Sequence, residues 1–124
     1  MNIIISNISK DPIYEQITKQ IKDNIIKGSI SEGELLPSIR NLARELKISV
    51  ITTKRAYEEL EREGFIETVP GKGSYVSSQN KDLLREKKIK SIEDKLMEAI
   101  EESKIIDLTK KDLEEMLDIL YDNM

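Results

Sequence analysis

The chain predicts a mainly α fold with a small β-hairpin wing: a winged helix-turn-helix followed by a two-helix C-terminal tail. Three observations lead there. Apolar residues recur at helical spacing through residues 12–27, 38–46 and 49–63. That period then gives way to two short β-like runs on either side of Pro70-Gly71-Lys72-Gly73. Helical spacing returns after residue 80 and persists to the end. At 124 residues the chain has room for one compact domain, or a small domain with an appendage. The expected division is 1–79 for the winged part and 80–124 for the tail.

The first helix is expected over about 12–27. Asp11 is placed to cap it, and Pro12 suits a first helical position, where a missing N–H would be unpaired anyway. Ile13, Ile17, Ile21 and Ile25 draw one apolar stripe at spacing four, and Gly28 is a natural stop. Residues 29–36, broken by Gly33 and ended by Pro37, read as a turn and a short extended piece. Ser38 caps a second helix with Ile39, Leu42, Ala43 and Leu46 inward. A tight turn at Lys47-Ile48 leads to Ser49, the cap of a third helix, on which Thr53, Ala56, Tyr57 and Leu60 share one face. Gly64 ends that helix. Phe65 to Val69 and Ser74 to Ser77 are the hairpin strands, and Ser77-Ser78-Gln79-Asn80 reads as a linker. In the tail, Thr109 and Asp112 form a short-acid variant of the capping box.

Composition excludes several chemistries. With no Cys there is no disulfide framework, thiolate zinc site or cysteine nucleophile, and with no His the commonest general base and metal ligand are missing. The carboxylates form no recognisable catalytic pair, so no enzyme activity, cofactor or metal is expected. No apolar run approaches the ~20 residues that span a bilayer. The first residues lack the basic start of a signal peptide. A cytoplasmic protein without a membrane partner is the expectation.

The net charge of −4 conceals its distribution. Residues 81–124 carry 9 basic and 13 acidic side chains, whereas residues 1–80 balance at 11 each. Between positions 40 and 55, Arg40, Arg44, Lys47, Lys54 and Arg55 face only Glu45. Such a local field attracts phosphates, although charge alone also fits a solvated helix face. The order of elements adds a geometry. In a winged helix-turn-helix the second helix braces the third, and the third enters the major groove with its N-terminal residues nearest the bases. The hairpin tip lies alongside, where a narrow minor groove favours a basic residue. Ser38 and Ser49 then cap helix N-termini facing the DNA backbone. Val50, Ile51, Lys54 and Arg55 lie opposite the inward face of the third helix, and Lys72 sits between Gly71 and Gly73 at the wing tip.

These residues also carry a resemblance. Pro12-Ile13-Tyr14-x-Gln16-Ile17, then Gly28-x-Ile30-x-x-Gly33-x-x-Leu36-Pro37-Ser38-x-Arg40-x-Leu42-Ala43, is similar to the start of the GntR family of bacterial transcription regulators. Ser49-Val50-x-Thr52-x-x-x-Ala56-Tyr57-x-x-Leu60-x-x-x-Gly64-Phe65-Ile66 and Gly71-Lys72-Gly73-Ser74-Tyr75-Val76 continue it. The match covers about residues 10–78, and the short tail resembles the YtrA subfamily. The resemblance implies that Arg40 grips a phosphate from the second helix. It implies that Ser49, Val50 and Thr52 open the recognition helix, that Lys54 is a basic position on it, and that Gly71-Lys72 form the wing tip. One position departs: many relatives have a polar residue, often Asn, where this chain has Ile51. An isoleucine donates no hydrogen bond to a base, but it can touch a thymine methyl.

The tail carries Leu84, Ile89, Ile92, Leu96 and Ile100 in its first helix and Leu113, Met116, Leu117, Leu120 and Tyr121 in its second. Two helices do not enclose a ligand cavity of ~300 Å³ and still bury their own stripes. Packing on the same pair from a second copy buries them, as a four-helix bundle or related seam. The expected protein is thus a repressor that binds a double-stranded, pseudo-palindromic DNA operator as a homodimer. The alternative is a winged-helix protein–protein interaction module without DNA binding. The sequence names no small-molecule effector.

Overall fold

The computed structural model describes residues 1–78 and 81–124. Its elements are α1 (Ile13–Lys27), α2 (Ile39–Leu46), α3 (Val50–Arg62), β1 (Ile66–Val69), β2 (Gly73–Val76), α4 (Lys81–Ile105) and α5 (Lys110–Asp122). Two compact units emerge, Met1–Lys81 and Asp82–Met124. Gln79 and Asn80 of the expected linker lie outside the described residues.

In the first unit, α3 is the central helix and packs on both α1 and α2. The stripe predicted on α1 is the reason: Ile17, Ile21 and Ile25 are buried, while Ile13 at the helix start is half-buried. Leu42 and Ala43 of α2 and Ala56, Tyr57 and Leu60 of α3 complete the interior. Burial of each large aliphatic side chain contributes roughly 1.5–3 kcal/mol. Thr53, fully buried among them, satisfies its hydroxyl by donating to the Ser49 carbonyl at 3.1 Å. Gly28, at φ 83°, ends α1 in the left-handed conformation that glycine adopts without a Cβ clash.

Asp11 does not cap α1. The N-cap is Pro12, without a side-chain cap bond. The Asp11 carboxylate instead pairs with Lys19 Nζ at 2.9 Å, and its carbonyl accepts from Gln16 Nε2 at 3.0 Å. The residues before α1 are held by two glutamine side chains. Gln20 exchanges hydrogen bonds with both backbone groups of Ile4, at 2.8 and 2.7 Å. Gln16 does the same with Ser6, at 2.8 and 3.0 Å. Each amide imitates one rung of a β-ladder, and Ile3 is buried beside them.

The hairpin is antiparallel, with Ile66 opposite Val76 and Val69 opposite Gly73. Leu35 adds an isolated bridge to Tyr75, so the extended piece before α2 lines the open edge of the wing. Ile66 and Val76 face inward from the two strands.

The second unit is a helical hairpin. The Leu108 N–H donates to the Ser103 carbonyl at 2.9 Å, and Asp107 takes a left-handed φ of 57°. Thr109 and Asp112 form the reciprocal capping box expected of them. The Thr109 backbone N–H holds the Asp112 carboxyl below its ordinary pKa. Helix α5 buries none of its residues, and Ile89, Ile92, Leu96 and Ile100 of α4 are exposed. Leu84 differs from the other predicted seam residues: it is already buried, at 8 % exposure.

Candidate nucleic-acid interface

Local chemistry fixes both helix starts. The Ser38 hydroxyl accepts from the Asn41 N–H at 3.1 Å, which begins α2 and leaves Arg40 in its first, exposed turn. The Ser49 hydroxyl accepts from the Thr52 N–H at 3.1 Å and donates to Thr52 Oγ1 at 2.7 Å. Val50 and Ile51 therefore project from the first turn of α3 beside a Ser49 hydroxyl that is engaged within the turn as both donor and acceptor. A tertiary bond joins the two helices: the Tyr57 hydroxyl donates to the Pro37 carbonyl at 2.6 Å, twenty residues earlier. Burial pushes the Tyr57 hydroxyl well above the usual phenol range. Tyr57 is thus a core residue and a brace for the start of α2.

The wing comes close to that start. A groove of about 550 Å³ is lined by Pro37, Ser38, Arg40, Tyr57, Lys72 and Gly73, among others. It unites four of the predicted residues, Ser38, Arg40, Lys72 and Gly73, from separate parts of the chain. Lys72 reaches the tip because its N–H closes the turn onto the Val69 carbonyl at 2.9 Å. Gly71 and Gly73 hold φ of 78° and 112° on either side. At Gly73 the positive φ is what favours glycine; a Cβ there would stand 3.0 Å from Cδ1 of the exposed Leu35 side chain, which would have to shift slightly. Among the described residues, neither Arg40 nor Lys72 forms an ion pair. Two exposed cations and the N–H groups of a helix start thus face one groove, an arrangement suited to a phosphate.

Of the remaining predicted residues, Gly71 is at the wing tip and the others form a second cluster at the start of α3; none of them lines this groove. Ser49, Val50, Ile51, Lys54 and Arg55 are exposed and Thr52 is half-buried. Lys54 lies 3.8 Å from Glu58 one turn on, a pair so exposed on both sides that it holds the lysine only weakly. Arg55 has a firmer partner. Its guanidinium lies 3.8 Å from the centroid of the Tyr14 ring, a cation–π contact from α1. Tyr14 is the neighbour of a predicted site residue that sequence reasoning did not pair with it. Its place beside the α1 stripe was visible, but its partner depends on how α1 crosses α3.

Residues 13–76 match the family described as bacterial regulatory proteins, gntR family. The chain belongs to the GntR family. It is 45 % identical over 92 residues to the HTH-type transcriptional repressor YtrA of Bacillus subtilis (strain 168), a match covering 74 % of this chain and 71 % of that protein. A transcriptional antiterminator from Listeria monocytogenes EGD-e superposes with a TM-score of 0.73 at 34 % identity, covering 98 % of this chain and 90 % of that one. YtrA from Sulfolobus acidocaldarius, a GntR-family transcription factor, superposes with a TM-score of 0.60 at 40 % identity. That superposition covers 73 % of this chain and 96 % of the other. The fold and the family are therefore those the sequence indicated, and the chain is a GntR-type transcription regulator. Among the described residues, no helix is long and apolar enough to cross a membrane.

Proposed function

We propose that this GntR-family chain is a cytoplasmic, sequence-specific DNA-binding repressor that acts as a homodimer on a pseudo-palindromic operator. The observation that carries the reading is the groove uniting Ser38, Arg40, Lys72 and Gly73 next to an exposed α3 start. In this reading Arg40 and Lys72 neutralise phosphates, which supplies affinity without sequence preference. The first turn of α3, from Ser49 to Thr52, meets base edges in the major groove, with Lys54 and Arg55 on its flank. Gly71 and Gly73 let the wing backbone approach the duplex. The B. subtilis relative named a repressor supports the sign of regulation. The reading assigns no catalytic residue, cofactor, metal or effector.

The tail supports the dimer. Between α4 and α5 runs an apolar trough of about 550 Å³, lined by Leu96, Ile100, Leu113, Met116, Leu117 and Leu120, among others. Most of these side chains are about half exposed, so the trough is open and not a ligand chamber. A second copy is the occupant proposed here, since its own trough presents the same apolar surface and a two-fold seam covers both. Ile89, Ile92 and Tyr121, also exposed, extend the seam, and Leu84, at 8 % exposure, is its least accessible proposed member. A two-fold dimer then presents two α3 starts to half-sites ~34–36 Å apart or a multiple of that.

Selection of bound duplexes from a random pool, using the full-length chain, tests this reading. The expected result is a consensus with two-fold symmetry. A failure to enrich any duplex would overturn it.

A further inference from the structure

Ile51 is 81 % exposed at the second position of α3, and Val50 beside it is 48 % exposed. Of the two hydroxyls in that turn, Ser49 commits its proton to Thr52 Oγ1 within the helix start, and the donor that Thr52 keeps is on a half-buried side chain. The Ser49 hydroxyl also accepts from the Thr52 N–H. The foremost part of the helix start is thus an apolar knob flanked by capping hydroxyls, with the cation of Lys54 one turn further along. A bare isoleucine in water gains nothing from its exposure; it gains when an apolar group covers it. The major groove offers one prominent apolar group, the C5-methyl of thymine.

We infer that Ile51, flanked by Val50, is a specificity-determining residue that reads a thymine methyl in each half-site. This inference rests on the DNA-binding reading above. It adds that one step of the operator is recognised by apolar contact rather than by a bidentate hydrogen bond. The contact distinguishes thymine from cytosine, which lacks the methyl, and from the purines, which place ring nitrogens and other exocyclic groups in the groove.

The test uses the full-length chain and the duplex it selects from a random pool. Each thymine is replaced in turn by deoxyuridine, which removes the methyl and keeps the O4 acceptor and the pairing. At one thymine per half-site the replacement is expected to weaken binding about fourfold, the scale of one lost apolar carbon. Ile51→Ala, at an exposed site that alanine suits, should bind thymine and deoxyuridine versions equally, while Ile51→Val should keep most of the discrimination. If the wild-type chain ignores every methyl, or Ile51→Ala remains fully methyl-sensitive, the inference is overturned while DNA binding stands. If no duplex is enriched at all, the binding reading fails and takes the inference with it.

Discussion

The hydroxyl of Tyr57 in α3 donates to the carbonyl of Pro37, immediately before the α2 cap, at 2.6 Å. This part-buried bond ties the start of α2, where Arg40 stands, to α3. Tyr57→Phe keeps the ring and leaves that carbonyl without its partner. We expect it to cost about 1–2 kcal/mol in urea unfolding at neutral pH. The pH dependence has a definite sign. Burial raises the folded-state pKa of Tyr57, so the neutral hydroxyl stabilises the fold fully below the unfolded value, about 10. That stability is lost as pH rises above it. The gap between wild type and Tyr57→Phe should therefore shrink in alkaline unfolding series; a gap that widened would contradict the assignment.

Arg55 lies on the face of Tyr14 at 3.8 Å, and this contact is expected to aim the guanidinium at the duplex. Tyr14→Phe keeps the ring and should bind DNA like the wild type. Tyr14→Leu should weaken binding as Arg55→Ala does, and the double variant should be little worse than either alone, the mark of a coupled pair. Strict additivity in fluorescence anisotropy titrations would show the two residues acting separately.

Much of this site was readable because its parts are local. Ser38, Ser49 and Thr109 each bond within three residues of themselves, and a cap followed by helical spacing is a short-range signal. The Gly71 and Gly73 turn is equally local. Tyr14 over Arg55 and Tyr57 on Pro37 join distant segments, so no spacing rule reveals them. Asp11 shows the converse failure. It is a good capping residue by type, but Lys19 and Gln16 engage it first. The glutamine rungs at Ile4 and Ser6 were illegible for the same reason, since their partners are backbone groups sixteen and ten residues away.

Arg40→Ala and Lys72→Ala should each weaken binding to every duplex by a similar factor, with the selected consensus unchanged. Each should also flatten the dependence of log affinity on log salt by about 0.9 unit, one phosphate contact apiece. An altered consensus with an unchanged salt slope would move that residue from backbone to base recognition.

The tail carries a separable prediction. Leu117 is 52 % exposed in the trough, so Leu117→Glu places a charge in the proposed seam while costing the lone chain less than a change at a fully buried leucine would. Sedimentation at micromolar concentration should give a dimer for the wild type and a monomer for the variant. The variant, like a 1–80 fragment, should bind its operator far more weakly. A wild-type monomer that binds as tightly as the reading requires would remove the two-fold arrangement.

The central claim is that the α3 start occupies a groove while the wing tip reaches the neighbouring backbone. Because the chain has no cysteine, Ile51→Cys, Lys72→Cys and, as a control at the far end of α3, Glu61→Cys can each carry one photo-cross-linking group. Mapping the cross-linked nucleotides on the selected duplex measures the claim directly. Position 51 should mark bases inside each half-site and position 72 the nucleotides just outside it, symmetrically about the centre. Cross-linking from 51 and 72 no stronger or better placed than from 61 would contradict it.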